Sequence, residues 1–211
     1  MQSRLAAIGV ATLAQFLAVG VQAHHPTGGA VPRTFLHGLL SGIGHPIIGF
    51  DHLAFVVGIG LLAAIAGHGL LLPGLFVLAM LAGLGIQILG VNIPHVELAL
   101  ALSVVSIGLT LCVSRGARAP WLVGGLFALT GVLHGCAFAE TVIGAEPTPI
   151  VAYILGLAAT QMTIATAAYF LARPSIQSPP MLAPIAVRAL GVAIAVVGAA
   201  FVVANGAGVT S

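Results

Sequence analysis

The sequence predicts an all-α, polytopic membrane protein: six transmembrane helices that follow a cleavable signal peptide. Three observations predict it. The chain of 211 residues is 60% hydrophobic and 5% charged, with a mean hydropathy of +1.20. It has no lysine, and its six basic residues are all Arg, against four acidic residues. Its apolar runs, punctuated by Gly, Pro and polar clusters, approach the roughly 20 residues a helix needs to cross a bilayer. A soluble domain carries roughly 25% charged residues, so this chain cannot clothe itself for water. A cytosolic enzyme, a nucleic-acid binder and a disordered tail are excluded. The formal charge of +2 is too small to attract a polyanion, and two Cys build no disulfide framework.

The N-terminus reads as a processing signal. Arg4 precedes the apolar run Leu5 to Gly20, and Val21-Gln22-Ala23 places small residues at −3 and −1 of a cleavage site. Residues 1–23 are therefore read as the signal peptide and 24–211 as one membrane domain. Cleavage after Ala23 leaves His24 as the terminus with His25 beside it, either a metal-capturing end or a polar spacer.

Spans are expected over 46–66, 69–90, 96–114, 120–140, 149–171 and 184–205. With the mature N-terminus outside, Arg115, Arg118, Arg173 and Arg188 fall on the cytoplasmic side and Arg33 alone stays outside. This obeys the positive-inside rule, which was not used to draw the spans. Thr34 to Ala66 is 33 residues, about 50 Å as one helix, too long for a hydrocarbon core of about 30 Å. A broken first helix is expected, with the break near Gly42, Gly44 and Pro46 and with 34–44 as a short separate helix. Gly38/Gly42 and Gly131/Gly135 have the small-xxx-small spacing that lets membrane helices approach closely.

Ionisable residues inside a span are costly and by default point to function. His45, Asp51 and His52 fall at the outer end of the first span, His95 and Glu97 at that of the third, and His134 and Glu140 at that of the fourth. His37 also lies in the outer half. Pro94-His95-Val96-Glu97 also reads simply as a helix start, with Pro at the first position and Glu favoured by the helix dipole. His68 reads as a loop residue or an inner exit, and Glu146 as a solvated loop residue.

His45 and His52, seven apart, share one helix face. His45 to Asp51 and His134 to Glu140 are both six apart, which leaves each pair about 120° around an ideal helix. One ion can meet both members only where the helix is broken, and Pro46 and Gly49 favour a break in the first span. Otherwise Asp51 orients an imidazole. The repeated His-x5-acid spacing in spans of opposite direction suggests an inverted three-plus-three repeat. Several imidazoles with one or two carboxylates suit a borderline divalent ion: Ni²⁺, Co²⁺, Zn²⁺ or Cu²⁺. Cys136 reads as a small packing residue, too far in depth from Cys112 to pair with it.

His45-Pro46-Ile47-Ile48-Gly49-Phe50-Asp51-His52 resembles the HPxxGxDH signature of the HupE/UreJ family of bacterial nickel/cobalt permeases. His134-Gly135-Cys136-Ala137-Phe138-Ala139-Glu140 resembles that family's second motif, HGxAxxE, and Pro94-His95-Val96-Glu97 and Gly144 to Pro149 resemble further family stretches. The resemblance implies six spans in the bacterial inner membrane and transport of Ni²⁺ or Co²⁺. On that analogy His45, Asp51, His52, His134 and Glu140 are the metal-handling residues; by position alone His24, His25, His37, His95 and Glu97 are candidate accessory ligands. No prosthetic group and no nucleic-acid partner are expected. Two departures stand out. Positions 136 and 138, often Tyr or His in relatives, are Cys and Phe, and the fifth span reads Thr160-Gln161-Met162-Thr163 where some members carry a His. The rival readings are a membrane-embedded metal hydrolase with Glu140 as general base and a metal-sensing or accessory subunit without transport.

Overall fold

The computed structural model describes residues 30–113, 120–177 and 183–206. The expected signal peptide, His24, His25, Arg115 and Arg118 lie outside the described residues. Among the described residues the chain is helical throughout, without strands. The helices are α1 (Phe35–Ile48), α2 (Phe50–Ala66), α3 (Leu71–Ile88), α4 (Val96–Val113), α5 (Pro120–Ala139), α6 (Pro147–Gln177) and α7 (Ala183–Gly206). A 3-10 turn, Glu140–Val142, closes α5. Five of the helices are long and apolar enough to cross a bilayer, and α1 with α2, bent by 77° at their break, meets the same criterion as a pair, as a broken span or a re-entrant loop. Large apolar side chains such as Leu36, Leu71, Leu89, Leu109, Leu155 and Leu171 are exposed around the bundle. A surface of that kind belongs against lipid. The chain is a multi-pass membrane protein.

The broken first span was expected, and of the break positions the sequence offered, the structure uses Gly49 and not those the length argument favoured. The break lies at Gly49, beyond Gly42, Gly44 and Pro46, and the short helix runs to Ile48. Packing explains the shift. Gly38, Ser41, Gly42 and His45 form the buried face of α1, and that face must stay helical to lie against α6. Pro46 lacks an N–H and so deprives the Gly42 carbonyl of its helical partner, but this falls near the end of α1, where the helix tolerates it. Gly49 serves both helices: its N–H donates to the His45 carbonyl (3.0 Å) and its carbonyl accepts from Leu53 (2.9 Å). A Cβ at Gly49 would stand 2.6 Å from the His52 ring.

Bilayer lipids give helices no hydrophobic reason to associate, so close backbone approach carries the packing. At Gly42 an added Cβ would strike the Tyr153 carbonyl of α6, and at Gly135 the Met80 carbonyl of α3. Gly38 likewise meets Pro149, and Gly131 meets Phe76. Both small-xxx-small pairs predicted from sequence are thus helix contacts. The main pairings are α1 and α2 with α6, α3 with α5, and α4 with α7. The order of contacts makes α1 parallel to α6 and α3 parallel to α5, while Gly108 and Gly191 bring α4 and α7 together antiparallel. Exchange of the first three spans with the last three leaves this pairing pattern unchanged, as an inverted repeat requires. The same order gathers Glu97, Glu140 and Glu146 at one end of the bundle and sends Arg173 and Arg188 to the other.

Candidate metal centre

Four of the five principal site residues lie inside the bundle. His45, Asp51, His52 and His134 are 5%, 2%, 3% and 0% exposed. The break at Gly49 places them. It ends α1 four residues after His45 and starts α2 so that Asp51 and His52 open its first turn. His134 comes from α5, held against α3 by the flanking Gly131 and Gly135.

The three imidazoles form a row. Ring centroids are 5.5 Å apart from His45 to His52 and again 5.5 Å from His52 to His134. Each end of the row is pinned from behind. His134 Nδ1 lies 2.8 Å from the Thr130 carbonyl. A carbonyl only accepts, so Nδ1 carries the proton and Nε2 is the lone-pair nitrogen. That Nε2 is buried and has no hydrogen-bond partner. At the other end, the Tyr153 hydroxyl donates to the Phe138 carbonyl (2.9 Å) and therefore accepts from His45 Nδ1 at 3.0 Å. Thr141 Oγ1 stands 3.0 Å from the same nitrogen. His45 is thus also held as the Nδ1–H tautomer with its Nε2 basic, the arrangement by which outer partners orient metal-binding imidazoles.

Phe138 stands among the three rings, 4.9 Å from His45, 4.5 Å from His52 and 6.2 Å from His134 between centroids. Beyond His134, Phe55 and Phe76 close the row at 4.2 and 5.5 Å. The expectation of one converging cluster is corrected accordingly. Among the described residues, no three His, Cys, Asp or Glu side chains are gathered closely enough to hold one ion in this conformation. The Phe138 ring packs along the flank of the row, against all three imidazoles.

Asp51 Oδ1 is buried without a hydrogen-bond partner. The carboxyl of Glu97 is within electrostatic reach of both Asp51 and Glu140, so three carboxyl groups share one end of the bundle. Glu140 itself is exposed at the head of the 3-10 turn, and Glu97 is half-buried. Pro94 does not open α4 as the sequence suggested. The helix begins at Val96, and His95 before it is exposed with φ of +57°. A left-handed His costs about 1–3 kcal/mol of strain. His37 is half-buried on α1, where its backbone N–H caps onto Thr34 (3.1 Å). His68 sits in the loop between α2 and α3, and Glu146 is exposed. Cys136 is a packing residue, its thiol donating to the Gly83 carbonyl (3.3 Å), while Cys112 contacts the Arg188 carbonyl (3.6 Å) far along the bundle.

Sequence reasoning missed Thr130, Thr141 and Tyr153, which position the imidazoles, and the placement of Phe138 among them. The available signal was polarity inside apolar spans: Thr130 lies one turn before His134, and Tyr153 is one of only two tyrosines.

Comparison with known proteins agrees with this architecture. The family described as HupE / UreJ protein matches residues 11–201. Protein HupE of Rhizobium leguminosarum bv. viciae is 28% identical over 147 residues, which cover 64% of this chain and 77% of that protein. No solved structure matches the chain. A match over nearly the whole length, with both histidine motifs inside the matched region, makes the chain a member of the HupE/UreJ family.

Proposed function

We propose that this protein is a permease for a divalent transition-metal ion, Ni²⁺ or Co²⁺, in the bacterial inner membrane. The observation that carries the reading is the buried row of His45, His52 and His134, supplied by three helices of a membrane bundle, with its end members held as Nε2 bases. Imidazole nitrogen is the donor such ions favour. Steps of 5.5 Å between rings suit hand-over from one ligand to the next.

The acidic end faces the periplasm in this reading, with Arg173 and Arg188 inside as the positive-inside rule requires. Glu97 and Glu140 attract the hydrated dication. Asp51 supplies a buried negative charge that offsets the cost of carrying the ion into low dielectric. The ion exchanges water for imidazole nitrogen as Phe138 swings away from the row, and the ring's return closes the way back. An inward-negative potential favours a dication by about 4.6 kcal/mol per 100 mV. The pairing pattern of an inverted repeat supports alternating access, with α1, α2 and α6 rocking against α3 and α5. The hydrolase reading needs a cleft open to lipid-sized substrates, whereas these imidazoles are buried beneath Phe138.

Accumulation of radiolabelled Ni²⁺ and Co²⁺ by cells expressing the protein tests the proposal. Asp51→Ala and His52→Ala should abolish accumulation while the protein is still made and inserted. Normal accumulation in both variants would refute the role of the row.

A further inference from the structure

We propose that Gln161 Oε1, Met80 Sδ and His134 Nε2 form a second cation station, deeper in the bundle than His45; it rests on the permease reading and extends its path. Gln161 is fully buried in α6. Its amide nitrogen donates to Met80 Sδ at 2.9 Å, and its Oε1 has no hydrogen-bond partner. An orphaned carbonyl inside a lipid-embedded bundle is destabilising. Packing gives no reason for it, since Leu157 and Ala165, one turn to either side, are buried and apolar. A buried group left unsatisfied at rest calls for an explanation, and a passing cation supplies one.

The neighbouring atoms fit. Met80 is fully buried, and its thioether is a soft donor that borderline ions accept. Its backbone lies against Gly131 and Gly135, the two glycines that flank His134 on α5. His134 Nε2 is likewise buried without a hydrogen-bond partner, on the helix that packs against α3 at Met80. Gln161 follows Tyr153 by eight residues on α6, about 12 Å along the axis, so the station lies that much further from the acidic end than His45. Its donors are one imidazole nitrogen, one amide oxygen and one sulfur, all neutral. An ion held there without a carboxylate is bound more weakly than beside Asp51, and weak, sequential sites are what conduction requires. His134 belongs to the second station alone and takes the ion over from His52, its neighbour in the row, so both stations can be filled at once.

The test counts ions and measures flux on the purified full-length protein. Co²⁺ binding at saturation is measured by equilibrium dialysis, Co²⁺ flux in proteoliposomes, and stability by thermal melting. The wild type should bind two ions per chain. Gln161→Leu and Met80→Leu should each bind one, with the remaining affinity unchanged and flux reduced about tenfold. Gln161→Leu should melt no lower than wild type, because it removes an orphaned polar atom. Two ions and full flux in both variants, or one ion in the wild type, would overturn the proposal. So would a Gln161→Leu protein that melts lower and loses flux in proportion, since that is a structural role. His52→Ala separates the two readings: unchanged flux there would strike the first station, while the ion count in Gln161→Leu still decides the second.

Discussion

His45 Nδ1 and the Tyr153 hydroxyl lie 3.0 Å apart, joining α1 to α6 across 108 residues of sequence. Because the same hydroxyl donates to the Phe138 carbonyl, it links the orientation of an imidazole to the backbone of the helix that carries His134 and Phe138. Tyr153→Phe keeps the ring and removes the link. Such outer partners are worth about 10–100-fold in metal affinity. The expected result is a loss of that size in Ni²⁺ or Co²⁺ affinity by calorimetry, with the helical circular dichroism unchanged.

Phe138 packs against all three imidazoles, so a donor in its place should join them. Phe138→His puts a nitrogen donor among three others. It is expected to bind Ni²⁺ or Co²⁺ more tightly than wild type and to release it more slowly, so that equilibrium affinity rises while transport rate falls. Phe138→Ala leaves a cavity and should cost about 3–5 kcal/mol of stability, read as a lower melting temperature.

Asp51 is buried with one oxygen unpartnered, an arrangement that suits a cation better than it suits the resting protein. Asp51→Asn keeps shape and removes charge. Melting temperature should hold or rise, while the gain in melting temperature on adding Ni²⁺ or Co²⁺, which measures binding linkage, should disappear.

Close glycine contacts hold the bundle together, and position decides which glycines matter. Gly42→Ala drives a methyl group into the Tyr153 backbone and should destabilise by about 1–3 kcal/mol, the usual cost of overpacking. Gly74→Ala on α3 meets nothing within 4 Å. It should be neutral or stabilising by about 0.5–1 kcal/mol, as helical Gly→Ala changes are. Melting temperatures of the two variants in the same detergent check the contrast.

The spans were legible because about 20 apolar residues between breaks leave few alternatives, and α3 to α7 fall close to the expected ranges. The break in the first span was legible as a necessity of length, and Gly49 was among its candidates, but the length argument alone set it too early. Pro46 signals a local defect in hydrogen bonding, whereas the bend belongs to Gly49, whose neighbours His52 and Asp51 reach it only after folding. The histidines and Asp51 announced themselves as ionisable groups in apolar sequence. Their arrangement in a row did not, because it depends on where the ring of Phe138 sits, and a phenylalanine among apolar residues carries no pattern. Tyr153 and Gln161 were hidden for a related reason. Each is a single polar group on a long apolar helix, and its meaning comes from its partner, His45 or Met80, on another helix.

Flux in proteoliposomes tests the central claim most directly, because no other protein is present. Purified protein in sealed vesicles, with an inward-negative potential and labelled Ni²⁺ or Co²⁺ outside, should fill the vesicles with ion, and His52→Ala should reduce the signal to that of empty liposomes. Correctly folded wild-type protein that binds the ion but moves none would contradict the permease account and assign the chain an accessory, metal-holding role instead.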